Sequence, residues 1–294
     1  MITFKTMEHL TFKEAHELFI RGFEGYFIPM KMSLDVFVAR IGNEGLSLEL
    51  SIIMFDGETP IGFVLQGLKE VDGQKIAWNG GTGIIPEYRG KQYGTILMEK
   101  ALDILKKQNV SVATLEAISI NQPAIKLYEK VGYEVIETLH FWESEGTLPF
   151  DENIANEFII KRIPALQAVN AGIFPTLVPW QVDPSITPKV GGEAVIAMKN
   201  NKILAACLVR TKQQFGLEAE GVTLFQAITY SENEECDRAL HAVLQDGLHF
   251  QRSLKRTTYN LVDNEQKTLS FLQSKGFKNT DISQVFMINQ MNKI

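Results

Sequence analysis

Two cysteines in 294 residues, Cys207 and Cys236, are too few for a disulfide framework, and neither stands in the CxxC spacing that opens a zinc site. Each is expected to be a buried, inert thiol. The five histidines (His9, His16, His140, His241 and His249) form no HExxH pattern, so no metal is expected. Basic residues are also scarce: 29 Lys and Arg against 35 Asp and Glu leave a formal charge of -6, without the cationic excess that nucleic acid demands. No apolar run approaches the roughly 18 residues of a membrane span, and "MITFKTMEHL" lacks the charged-then-apolar order of a secretory signal. The expectation is a cytoplasmic protein with no nucleic-acid and no membrane partner; oligomeric state is not legible. Walker A (GxxxxGK[ST]) and the dinucleotide fingerprint GxGxxG are missing as well, which removes the two commonest phosphate-binding loops.

What is present is an ordinary folding composition, 45% hydrophobic and 22% charged, with no low-complexity tract. The length exceeds one comfortable core and suits two domains of roughly 150 residues. Thr11 with Glu14 makes a capping box and opens a helix to about Arg21, and Ser33 opens a second to about Ile41. Between them "GFEGYFIPMKM" is rich in aromatic residues and methionine, which suits either core cover or a pocket wall. Three strands follow, near 47–55, 60–70 and 75–85, joined by the turn signals "DGE" and "DG". Residues 94–107 carry Leu97, Ala101, Ile104 and Leu105 at helical spacing. "SVATLEAISI" reads as a buried strand, "NQPAIKLYEKVG" as a helix capped by Asn121 and stopped by Gly132, and "YEVIETLHFW" as a closing strand. The acidic "SEGTLPFDENIANE" is the expected domain boundary.

The turn between the fourth strand and the third helix, "IIPEYRGKQYG", gathers Arg89, Gly90, Lys91 and Gly94 at a helix N-terminus. Free first-turn amides and the helix dipole make such a turn an anion site, and a diphosphate would fit it. The plainer alternative is a tight turn with exposed charges. Followed by a helix and then "LEAISINQPAIKLYEKVGY", this stretch resembles the Gcn5-related N-acetyltransferase superfamily, whose loop reads Arg/Gln-x-x-Gly-x-Gly/Ala and holds the acetyl-CoA pyrophosphate. Arg89 and Gly94 match its ends; Gln92 stands where the central glycine is usual, and at positive φ it would cost about 1 kcal/mol.

The resemblance covers residues 1 to about 142 in element order. It implies that Ile84, Ile85, Arg89, Gly90, Lys91, Gln92, Tyr93, Gly94, Thr95 and Asn121 bind acetyl-CoA as cosubstrate, with the main chain of Ile84 and Ile85 beside the pantetheine arm. It also implies that Tyr128 protonates the leaving sulfur and that Glu116 is the base. Their alternatives are packing for Tyr128 and a surface ion pair for Glu116; Tyr26 and His140 are further candidates for proton transfer.

The second half repeats the pattern of the first in "IAMKNNKILAACLVR", "LFQAITYSENEECDRALHAVLQDGL" and "TYNLVDNEQKTLSFLQSKGF". Aligning Gly276 with Gly132 puts Leu272 opposite Tyr128 and Asn260 opposite Glu116, while Glu232, Glu234 and Glu235 replace the anion loop. The expected fold is therefore α/β (α+β), two acetyltransferase-like domains, each a mixed, mostly antiparallel sheet flanked by helices. Residues 1–145 would be catalytic and 146–294 degenerate, without a CoA loop. The expected activity is acetyl transfer from acetyl-CoA to an amine of a small molecule or a peptide N-terminus. The alternative is a non-catalytic acyl-CoA-binding or regulatory module.

Overall fold

A computed structural model of the chain describes every residue except 72, 187, 188, 190, 215–217, 263, 264 and 292–294. The chain divides into two compact units, Met1–Glu137 with Val285–Ile294, and Thr138–Gln284. This differs from the expected 1–145 and 146–294. The acidic stretch chosen as the boundary begins inside a strand, and the last residues of the chain return to the first unit.

The first unit opens with β1 (Ile2–Thr6) and α1 (Phe12–Gly22). Thr11 and Glu14 form the expected capping box, satisfying two of the donors that a helix start leaves open. Helix α2 (Leu34–Asn43) follows Ser33, whose side chain makes no cap bond to the helix. Then come β2 (Leu46–Asp56), β3 (Thr59–Val71), β4 (Gln74–Ile84), α3 (Tyr93–Lys107), β5 (Val112–Ile118) and α4 (Gln122–Lys130). Strands β1 to β4 pair antiparallel in sequence order, and β5 lies parallel to β4. Segments such as Ile52–Phe55 and Ile61–Leu65 are buried throughout, because helices cover both faces of the sheet.

The parallel pairing of β4 with β5 runs from Ile76 opposite Val112 to Asn79 opposite Leu115 and goes no further. At the same level the β3–β4 register slips by one residue, so Gly80 is a bulge. Beyond this point β4 and β5 are no longer bonded to each other, and the split becomes the site.

The second unit takes up most of β6 (Glu134–Gly146), then α5 (Glu152–Glu157), β7 (Ile159–Pro164), α6 (Ala165–Asn170), β8 (Glu193–Lys199), β9 (Lys202–Gln214) and β10 (Glu218–Thr229). Helix α7 (Glu234–Gly247), β11 (Leu254–Thr258), β12 (Leu261–Val262), α8 (Gln266–Ser274) and β13 (Lys278–Gln290) complete the chain. Asn200 and Asn201, both at positive φ, make the tight β8–β9 turn. Along β8 and β9, Val195, Ala197, Ala205, Cys207 and Val209 pack on the α7 side, while Ala194, Ile196, Ala206 and Leu208 pack on the other. Period-two alternation therefore serves two cores. Both cysteines are free and buried, and burial pushes the Cys207 thiol far up, away from reactivity. The C-terminal part of β13 lies beside β5 in the first unit, where the Met291 N–H donates to Ser111 O at 3.0 Å. Among the described residues no helix is long and apolar enough to cross a membrane.

Candidate active site

A cleft of about 500 Å³ opens where β4 and β5 separate. Its walls are the segment 22–27 after α1, the end of β4, the turn 88–95, and the start of α4 with Asn121 and Tyr128.

The turn has the form the sequence called for. Gly90 has φ 74°, and Gln92, the residue before α3, has φ 63° and ψ 6°. Gln92 thus occupies the left-handed position that a glycine would take without strain. No side chain caps α3 and no acid stands in its first turn, so the amides there remain for an anion. Gly94 is small for a reason other than anion approach: a Cβ there would lie 3.1 Å from Leu127 Cδ2 on α4.

Arg89 and Lys91 are both hydrogen-bonded within the protein. Arg89 Nε donates to Ile84 O at 2.9 Å, and its Nη2 donates to Gly22 O at 3.0 Å. The guanidinium ties the end of α1 to the end of β4 and retains further donors for a ligand. Lys91 Nζ donates to Glu87 O at 3.0 Å and lies over the Tyr88 ring. Below them α1 meets β4 backbone to backbone: a Cβ on Gly22 would come within 2.5 Å of Phe63 Cε1, and one on Gly83 within 3.1 Å of Gly22 Cα.

At the end of β4 the two isoleucines separate. The Ile85 N–H donates to Ile61 O at 3.0 Å, so it is taken by β3 and unavailable to a ligand. This corrects its expected place beside the cosubstrate. Antiparallel alternation turns the next amide along, that of Ile84, to the opposite edge, where β5 has left.

Tyr128, on α4, is only 8% exposed, hydrogen-bonds to Thr82, and has its hydroxyl pushed up to about 12 by burial. It therefore holds its proton throughout the neutral range. Asn121 Oδ1 accepts from the Ala124 N–H at 3.3 Å, capping α4 as expected. Glu116 accepts from Trp78 Nε1 at 2.7 Å and is not among the residues lining the cleft. His140 falls in the second unit, where Asn279 Nδ2 lies 3.3 Å from its Nδ1.

Sequence reasoning gave the segment 23–27 no single role, and Tyr26 stood only as a secondary proton-transfer candidate. In the structure the Phe23 ring packs on Phe19 and Phe63, and Tyr26 stands edge-on to both Phe23 and Phe27. The Tyr26 hydroxyl bonds to the Asn121 side chain and to the backbone of Ile118 at the end of β5. The aromatic content of "GFEGYF" was the available signal; the partner on β5 was not.

The model of the acetyltransferase (GNAT) family matches residues 13–133, the segment that builds this cleft. That segment is what the chain shares with the GNAT family. An uncharacterized N-acetyltransferase of Methanocaldococcus jannaschii is 28% identical over 86 residues, which is 28% of this chain and 38% of that protein. Among solved structures, a GCN5-related N-acetyltransferase from Anabaena variabilis aligns with TM-score 0.64 at 13% identity, over 99% of this chain and 73% of its own. A putative acetyltransferase from Pyrococcus horikoshii gives 0.62 at 12%, over 99% and 89%. A tandem GNAT protein from the clavulanic acid biosynthesis pathway gives 0.61 at 12%, over the full length of both chains. At such identity these three show the fold alone.

Proposed function

We propose that the first unit transfers acetyl from acetyl-CoA directly to an amine, and that the second unit binds no CoA. The observation that carries this reading is the left-handed turn at Gly90 and Gln92 ahead of an uncapped, acid-free helix start, opening into the β4–β5 split. Backbone amides at 90–95, with Arg89, would hold the diphosphate. Asn121 and the open edge of β4 would hold the amide arm. When bound, acetyl-CoA supplies an activated thioester.

The residues of the chain do the remainder. The Ile84 N–H points to the open edge and can donate to a carbonyl oxygen there. Tyr128, buried and protonated, holds a proton at its hydroxyl for a departing sulfur. Glu116 anchors Trp78 directly, and its service as base is the weaker assignment. Retention of full kcat by Glu116→Gln would give it to Trp78 alone.

The test of binding is calorimetry with acetyl-CoA on the intact chain and on Thr95→Asp. An acid in the first turn of α3 favours the helix dipole while repelling a diphosphate. The expected result is one site per chain, lost in Thr95→Asp without loss of thermal stability. Release of free CoA with an amine library then separates an enzyme from a non-catalytic acyl-CoA module. The acceptor class, small amine or peptide N-terminus, is read from the same screen.

A further inference from the structure

Among the described residues that line the cleft, Arg89 is the one cation and Glu24 the one carboxylate. Arg89 is already engaged with Ile84 O and Gly22 O. Glu24 is exposed, and among the described residues its side chain has no ion pair and no hydrogen bond. It stays apart from Arg89 even though a Cβ on the next residue, Gly25, would lie 3.9 Å from Arg89 Nη1. A carboxylate left open in a cleft attracts a cationic ligand.

Phe27, three residues on, lines the same cleft and is 52% exposed, with its ring edge-on to Tyr26 at 5.8 Å. Tyr26 stands edge-on to Phe23 at 5.2 Å, and Phe23 packs on Phe19 and Phe63 in the core. The exposed ring is thus the last of a file of aromatics, held in place without being covered. A ring face and a carboxylate attract the same charge, so the pair suits an ammonium carried on an apolar body.

The main chain here is largely taken. The amides of Phe23, Glu24 and Tyr26 donate to Phe19 O, Arg21 O and Phe23 O, and Gly22 O accepts from Arg89. A peptide acceptor carries amides and carbonyls beside its ammonium, and these need backbone partners. The segment offers side chains instead, which fits a small amine.

We propose that Glu24 and Phe27 form the acceptor subsite and that the acceptor is a small primary amine with an aromatic body, bound as its ammonium. Glu24 takes the charge, and the Phe27 and Tyr26 rings take the body. This rests on the acetyl-CoA reading of the same cleft.

The experiment measures acetylation of 2-phenylethylamine, n-butylamine and trialanine amide by wild type, Glu24→Gln and Phe27→Ala, with calorimetry of acetyl-CoA on each protein. Wild type should use 2-phenylethylamine with a KM about ten-fold below that for n-butylamine. Glu24→Gln should raise both KM values about ten-fold, the worth of one charged hydrogen bond, while kcat and acetyl-CoA affinity change by less than about three-fold. Phe27→Ala should raise only the KM for 2-phenylethylamine and so erase the preference. Both side chains are exposed, so Tm should hold in each variant. An unchanged KM for 2-phenylethylamine in either variant overturns the subsite. Better use of trialanine amide than of 2-phenylethylamine also overturns it, as does acetyl-CoA binding with no amine used, and each of these leaves acetyl-CoA binding in place. Absence of acetyl-CoA binding to wild type overturns both readings.

Discussion

The two units are built on one plan and differ where the chemistry would be. In each, a parallel pair ends at a matching place, Asn79 with Leu115 and Leu224 with Thr258, next to a register slip at Gly80 or Phe225. In each, the residue just past the strand donates back to its neighbour: Ile85 to Ile61 O and Tyr230 to Leu204 O. The helices after the split close with the same bonds, Tyr133 N–H to Tyr128 O and Phe277 N–H to Leu272 O. Leu272 is thus the counterpart of Tyr128, as the glycine alignment indicated. The strand register puts Tyr259, and not Asn260, opposite Glu116.

On that shared frame the second unit has closed every feature that the first leaves open. Thr82 and Gly83 correspond to Ala227 and Ile228. The side chain of Gln226, beside them, donates to Val182 O at 2.7 Å, and the Tyr259 hydroxyl donates to Gln181 Oε1 at 3.2 Å, so the turn Trp180–Val182 takes up these groups. Helix α7 begins with Asn233 capping the Cys236 N–H and with Glu234, Glu235 and Asp237 in its first turn. Lys199 bonds to Glu235, and Lys267 to Glu232 and Asp237. An N-terminus satisfied by its own cap and acids has nothing to offer a diphosphate. The two units therefore share backbone pairing, while a handful of side chains decides whether the split is a cleft or a core.

The largest effect should come from Arg256, whose counterpart in the first unit is Ala113. It is fully buried and donates to the carbonyls of Gly146, Leu248, His249, Arg252 and Leu254, pinning the connection from α7 to β11. Arg256→Ala should destabilise the chain by about 3–5 kcal/mol, because those carbonyls lose their donors in a dry site. Denaturant unfolding measures it, and a loss under 1 kcal/mol would mean that water reaches them.

Next, Tyr128→Phe should lower kcat about 100-fold or more at unchanged fold, whereas Leu272→Phe in the second unit should leave kcat within about two-fold. Comparable losses from both changes would refute the division of labour between units.

A third contrast lies at the helix caps. Asn121 caps α4, while Glu265, in the same position before α8, makes no cap bond and has a buried Oε2 without a hydrogen-bond partner. Burial pushes the Glu265 carboxyl up to about 8. A raised carboxyl stabilises the fold while protonated, fully below its unfolded value near 4.5 and progressively less as pH rises through 8. Wild type should lose about 4 kcal/mol between pH 5 and pH 9 from this group, a slope absent from Glu265→Gln. Parallel pH profiles of Tm for the two proteins would count against it.

The smallest effect is at Gln92, left-handed at φ 63°, against Asn233, extended at φ −152° before α7. Gln92→Gly should stabilise by about 0.5–1 kcal/mol and shift Tm up by a few degrees. A fall in Tm would show that the glutamine side chain contributes more than its backbone costs.

Much of this was legible in order and pattern. The capping box at Thr11, the Asn121 cap and the turn ahead of α3 are local signals, since each depends on residues within a few positions of one another. What the sequence did not show is long-range. The amide of Ile85 is claimed by Ile61 across a strand pair, Arg89 by a carbonyl 67 residues earlier, and Glu116 by Trp78 on the neighbouring strand. The boundary read from acidic composition missed because β6 continues through it.

By itself, then, the sequence determined the elements, their repetition and the residue types at each split, because helix and strand periods, caps and positive-φ turns are set by neighbouring side chains. Only the tertiary structure decided which donors and acceptors stay open. Whether Ile84 or Ile85 can serve a ligand, and which unit the last strand completes, depend on register between segments far apart in the chain. A single residue of slip there turns every amide to the opposite edge.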